Sequence, residues 1–169
     1  MSTEWVPSLW IYQFEQMVDE QLDYGDQWGL NFNYSQTNEV TNEENKRGWK
    51  VCCCRTFGDF LCHSCRRTWP SARVVVLFRY RLRGNQHRGT VIMRPFRQAC
   101  RECQNKEFIL PGFSEDEVKQ ALLKLFAKIR KNCYGVEDGD CSGSTENVYT
   151  KPHEENLCEA CSEGICQEE

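Results

Sequence analysis

Cys62 and Cys65 bracket His63 and Ser64, and thirty-four residues further on Cys100 and Cys103 bracket Arg101 and Glu102. A CxxC turn sets two thiols on one side of a tight backbone knuckle. Two such knuckles supply four soft sulfur ligands, the donor set for a closed tetrahedral zinc site with metal–sulfur bonds of about 2.3 Å. A later run extends the ligand inventory: His153, then Cys158 and Cys161 as a third CxxC, then Cys166. Four ligand-type side chains within fourteen residues suit a second zinc, with Cys133 as another candidate for its fourth position. One zinc is expected from the first four cysteines and a second from the last cluster.

Competing chemistries fare less well. Twelve cysteines in a secreted chain would suggest a disulfide framework. The N-terminus, however, has neither the basic nor the apolar region of a secretory leader, so a reducing compartment and metal-ligating thiols are expected. A redox CxxC needs a low-pKa thiol at a helix start, and neither Cys62 nor Cys100 precedes a helical pattern. Four thiolates leave no open coordination position, and no nucleophile–base pair stands out. His63 lies inside a knuckle and His87 in a turn. The residues therefore point to a structural metal and not to an enzyme.

The elements that must position these knuckles can be read from periodicity. Val74 to Arg83 is rich in β-branched and aromatic residues and reads as a strand. Gly84-Asn85 and Gly89 punctuate the chain, and Thr90 to Arg94 returns as a second strand that carries the second knuckle back beside the first. Trp28, Leu30, Phe32 and Tyr34 alternate with polar residues as a further strand. Another begins at Gly48 and runs through Cys52-Cys53-Cys54-Arg55. Three successive cysteines cannot share a face, so Cys52 and Cys54 are expected to point together as small apolar residues. An amphipathic helix is predicted over 8–23, from Trp10, Phe14, Met17, Val18 and Leu22. A second is predicted over 115–133, capped by Ser114, with Val118, Ala121, Leu122, Leu125, Phe126 and Ile129 on one face. Residues 36–45 and 136–150 read as polar loops. The sum is a single α+β domain: a small antiparallel, zinc-ribbon-like sheet with an N-terminal and a central helix, its core over about 8–166.

Charge is strongly segregated. Residues 1–45 hold nine acidic and no basic residues, 46–106 hold fifteen basic and two acidic, and 107–169 hold fourteen acidic and six basic. The middle block should attract anionic partners unless the acidic ends fold back over it. On the strand ending Arg79-Tyr80-Arg81-Leu82-Arg83 the three arginines share one face, which is the expected partner surface. With Trp69, Phe78 and Tyr80 interleaved, nucleic acid is one candidate partner.

The three CxxC pairs occur in order with Gly48-Trp49-Lys50, Phe57-Gly58, Trp69-Pro70-Ser71-Ala72, Val91 to Phe96, Cys133-Tyr134-Gly135 and Cys158 to Ile165 around them. This set resembles the receptor-transporting protein family, defined by a three-CxxC zinc finger, over nearly the whole chain. The resemblance implies a zinc-binding accessory chaperone that binds G-protein-coupled receptors of the olfactory and taste type and promotes their delivery to the plasma membrane. One branch of that family is antiviral. Members usually carry a C-terminal transmembrane anchor after the zinc domain. No run of about 18 apolar residues is present here, so a position on the cytoplasmic side of the ER or plasma membrane, held through partners, is expected.

Overall fold

A computed structural model describes residues 3–103, 107–136 and 158–162. The chain enters through helix α1 (Pro7–Gln21) and strand β1 (Gln27–Phe32), then passes a short helix α2 (Asn42–Lys46). Three strands follow: β2 (Lys50–Leu61), β3 (Thr68–Arg83) and β4 (Arg88–Pro95). A two-stranded ribbon of β5 (Gln98–Ala99) and β6 (Phe108–Ile109) precedes helix α3 (Glu115–Tyr134), and α4 (Glu159–Ser162) lies near the C-terminus. Among the described residues, no helix is long and apolar enough to cross a membrane.

The fold is α+β as expected, and both main helices lie within two residues of their predicted spans. Pro7 begins α1 where a missing N–H costs nothing. Ser114 caps α3 by accepting from the Glu117 N–H at 3.3 Å, and Gly135 ends it in the left-handed region at φ 68°. One face of the sheet presents Cys52, Cys54, Val74, Val76, Phe78, Tyr80, Val91 and Met93 to Trp10 and Phe14 of α1 and to the apolar face of α3. The expected parity at Cys52 and Cys54 therefore holds. Their sulfurs lie 3.7 Å apart inside this core, while Cys53 faces the other way and is exposed.

Two features depart from the sequence reading. The first is that the four-stranded sheet is mixed, not wholly antiparallel. Its order is β1-β4-β3-β2, and β1 runs parallel to β4. The pairing is set by shape. Trp28 of β1 is buried against Gly89 of β4, and a Cβ on Gly89 would sit 2.1 Å from the indole ring. The indole N–H donates to the Tyr134 hydroxyl at 3.0 Å, and that hydroxyl donates to Asp26 at 2.7 Å, tying β1 to the end of α3.

The second departure lies in the segment read as a loop over 36–45, which crosses the outer sheet face and includes α2. Thr41 and Glu44 form a reciprocal capping box that nucleates this short helix. The segment is pinned from below. The buried Gln36 side chain donates to the carbonyls of Leu77 and Ile92 at 3.1 and 2.8 Å, and Arg94 donates to the Gln36 carbonyl at 2.8 Å.

The Trp28–Gly89 contact is testable by contrast with a glycine that has room. Gly89→Ala should destabilise the domain by about 1–3 kcal/mol, as overpacking does. Gly29→Ala, whose Cβ would meet nothing within 4 Å, should lie near wild type in a thermal melt. Equal midpoints for the two variants would refute the close approach.

Candidate metal centre

Knuckle one is the tip of the β2–β3 hairpin. The strands pair as far as Leu61 with Thr68, and the chain between them turns through Cys62 to Cys65. The Arg66 N–H donates to the Cys62 carbonyl and the Cys62 N–H to the Arg67 carbonyl, both at 2.8 Å. Arg66 closes the turn in the left-handed region at φ 64°. Knuckle two follows β5, which β6 holds in place through Gln98 opposite Ile109 and Ala99 opposite Phe108. The β3–β4 hairpin brings the two knuckles together as predicted. Arg67 beside the first forms an ion pair with Glu102 inside the second.

The sulfurs of Cys62, Cys65 and Cys103 all lie within 4.8 Å of one another, and Cys100 joins through Cys65 with sulfurs 3.6 Å apart. A tetrahedron with bonds of about 2.3 Å has sulfur–sulfur edges of about 3.8 Å; three of the sulfurs are grouped at a spacing a metal could draw in, and Cys100 stands beside Cys65 as the fourth donor. The donor chemistry, four thiols and no carboxylate, favours zinc over hard cations. The backbone N–H of Cys65, aided by that of Ser64, favours the Cys62 thiolate and outweighs burial, lowering that group to about 7. At Cys65 the Arg67 N–H also favours the thiolate, but desolvation and its bonds to Cys62 and Cys100 outweigh it and raise the thiol to about 11. A divalent cation replaces the protons that these thiols otherwise share. A zinc held by these cysteines would join the two knuckles and so close the sheet end.

Trp69, opposite Phe60 in the register, stacks on that buried ring with centroids 5.2 Å apart. Its indole N–H reaches Gln98 Oε1 at 3.4 Å, linking the strand before knuckle one to the strand before knuckle two.

Cys158, the first cysteine of the third pair, sits on the opposite face of the sheet from α1 and α3. Cys158 is buried with Val75, Leu77, Phe96 and Ala160, bridges Gln98, and precedes α4, which contains Cys161. His153 and Cys166 lie outside the described residues, as do residues 137–150 of the predicted loop. Cys133 packs against the helix-face core, so the sheet lies between it and Cys158, and it does not complete that cluster.

A residue that sequence reasoning missed holds this segment down. The buried Glu159 carboxylate accepts from the Arg97 N–H at 3.1 Å and from the Arg97 guanidinium at 2.9–3.0 Å, and it pairs with Arg94 at 3.5 Å. An acid between the two cysteines of a CxxC pair carries no local mark of this role.

The expected arginine face is likewise only partly open. Arg79 is closed off: it pairs with Glu44 at 2.6 Å and donates to the carbonyls of Thr37 and Glu39. The acidic N-terminal block folds back here, because three acceptors converge on one guanidinium. Arg81 is half-buried and Arg83 exposed.

Two predictions follow from these contacts. Structural zinc contributes about 10–16 kcal/mol in small zinc-finger peptides, more than a typical domain's whole stability. Cys62→Ser or Cys100→Ser should therefore lower both the zinc content by mass spectrometry and the thermal midpoint, and a chelator should do the same to the wild type. A midpoint indifferent to mutation and chelator alike would exclude a structural cage. Glu159→Ala leaves two arginines without their buried partner and should cost about 3–5 kcal/mol. A variant with the wild-type midpoint would show that the carboxylate is not holding the segment.

Comparison with known proteins agrees with this geometry. A family profile described as a zinc-binding domain, of the three-CxxC zinc-ribbon type, matches residues 55–164. Receptor-transporting protein 3 of Mus musculus is 35% identical over 124 residues, which is 72% of this chain and 26% of that protein. Receptor-transporting protein 4 of Homo sapiens is 35% identical over 123 residues, 71% of this chain and 50% of that protein. Receptor-transporting protein 1 of Homo sapiens is 31% identical over 148 residues, 86% of this chain and 55% of that protein. The matched region thus spans between about a quarter and just over half of these relatives. No solved structure matches the chain. The chain belongs to the three-CxxC zinc-ribbon family of the receptor-transporting proteins.

Proposed function

We propose that this chain is a non-enzymatic, zinc-stapled escort that binds G-protein-coupled receptors of the olfactory or taste type and promotes their delivery to the plasma membrane. The observation that carries the reading is the four-thiol cage within a chain 31–35% identical to three receptor-transporting proteins. The site's chemistry supports a binding role over catalysis. All four thiols face a closed donor set, with no open position for a substrate. In this reading the chain works on the cytoplasmic side of the ER or plasma membrane and is held there by its clients.

Nucleic-acid binding through the whole arginine row has less behind it. Arg79, the first member of that row, is satisfied within the fold by Glu44 and two carbonyls.

The test is co-expression with an epitope-tagged olfactory-type receptor, reading surface receptor on intact cells and co-purification from detergent extracts. The wild-type chain should raise the surface signal and retain the receptor. Cys62→Ser should lose both, because the fold that presents the binding surface is lost. A chain that neither co-purifies with such receptors nor changes their surface level would refute the escort reading. Salt-sensitive retention on immobilised RNA in that case would favour the nucleic-acid one.

A further inference from the structure

The arginines at the β3–β4 turn differ from Arg79 in one respect that matters for function. Arg79 is saturated, whereas Arg81, two residues on and on the same face, has no hydrogen bond or ion pair among the described residues, and its Nε is buried without an acceptor. Its guanidinium lies over the Trp49 ring, 5.5 Å from the centroid. The sheet register explains the stack. The β2–β3 ladder begins with Lys50 opposite Tyr80, which leaves Trp49 opposite Arg81. In the other direction Arg83 pairs in register with Arg88 of β4, and both are exposed. Arg47, just beyond α2, is exposed on the same approach. Burial, then repulsion from Arg83 and Arg47, pulls the Arg81 pKa down, as expected of cations clustered with no anion between them. Two of the carboxylates in this region are already committed: Glu44 to Arg79, and Asp26 to Tyr134 and His87.

We propose that Arg47, Arg81, Arg83 and Arg88, with Trp49 as the floor beneath Arg81, form a docking site for a short acidic segment of a protein partner. Three considerations select that occupant. A guanidinium placed over an aromatic ring can still offer its two terminal NH2 groups for bidentate capture of a carboxylate. Arg81 and Arg83 are two residues apart on one strand, about 6.6–6.8 Å, which is also the repeat of alternate side chains on an extended peptide. The segment crossing the same face carries exposed Glu39 and Glu43. These would repel an extended polyanion, such as a bilayer or a nucleic acid, yet leave room for a few carboxylates. The site rests on this geometry; only the identification of the partner with a client receptor rests on the escort reading.

The experiment uses the purified zinc-loaded chain and a fluorescent oligoglutamate peptide, followed by anisotropy over a salt series. Phosphatidylserine vesicles and single-stranded RNA run in parallel. The wild type should bind the peptide with an affinity that weakens as salt rises. Arg81→Gln with Arg83→Gln should weaken binding by about tenfold or more while leaving zinc content and thermal midpoint unchanged. Arg81→Lys should fall between, since it keeps the charge and loses the planar fork. If the double variant loses its fold, Arg83→Gln with Arg88→Gln, both exposed, makes the same comparison. Peptide binding unaffected by a folded variant would overturn the proposal. So would vesicles or RNA binding through these arginines more tightly than the peptide does. The assay contains no receptor, so a failure here is separable from a failure of surface delivery.

Discussion

Closure of the sheet end by four thiols is the constraint on which the rest of the structure depends. The knuckles are the places where the chain leaves the sheet: Cys62 to Cys65 at the β2–β3 tip, and Cys100 to Cys103 after β4 and β5. Long antiparallel pairing such as that of β2 with β3 is entropically costly to close and leaves frayed ends. A metal that binds only the assembled cage returns its binding free energy as folding free energy. The Arg67–Glu102 pair and the Trp69–Gln98 contact reinforce the same junction from either side.

With that end held, the sheet acts as a partition between two unlike surfaces. The helix face is apolar throughout, built from Trp10, Phe14, Phe78, Tyr80 and the buried stripe of α3. The outer face alternates apolar residues with arginines, and each arginine there has a different fate. Arg94 is buried and engaged with Gln36 and Glu159. Arg79 is satisfied by the crossing segment. Arg81 and Arg83 lack such partners among the described residues. Buried charge is tolerated only where it is paired, so the first two arginines serve the fold, and the open pair is where binding free energy remains to be gained.

Much of this was legible in the sequence because it is local. A CxxC knuckle is a property of four residues, and the two knuckles were placed correctly by the hairpin between them. The α1 and α3 helices follow from a 3.6-residue period with caps at Pro7, Ser114 and Gly135, and the inward pointing of Cys52 and Cys54 follows from strand parity alone. Spacing and donor type marked Cys62, Cys65, Cys100 and Cys103 as candidate ligands; which of the three CxxC pairs come together was left to the fold, which sets Cys65 beside Cys100.

What the sequence left open depends on contacts between distant residues. The parallel course of β1 beside β4 was decided by an indole fitting over Gly89, a shape match with no periodic signature. Gln36 and Glu159 are ordinary polar residues until residues 41 and 62 positions away supply their partners. The neutralisation of Arg79 required Glu44, 35 residues earlier, to be carried across the sheet by a capped turn that composition alone reads as loop. Block charge determined that a basic face would exist. Only the tertiary structure could decide which of its arginines remain open, because a salt bridge forms between neighbours in space, whatever their separation in the chain.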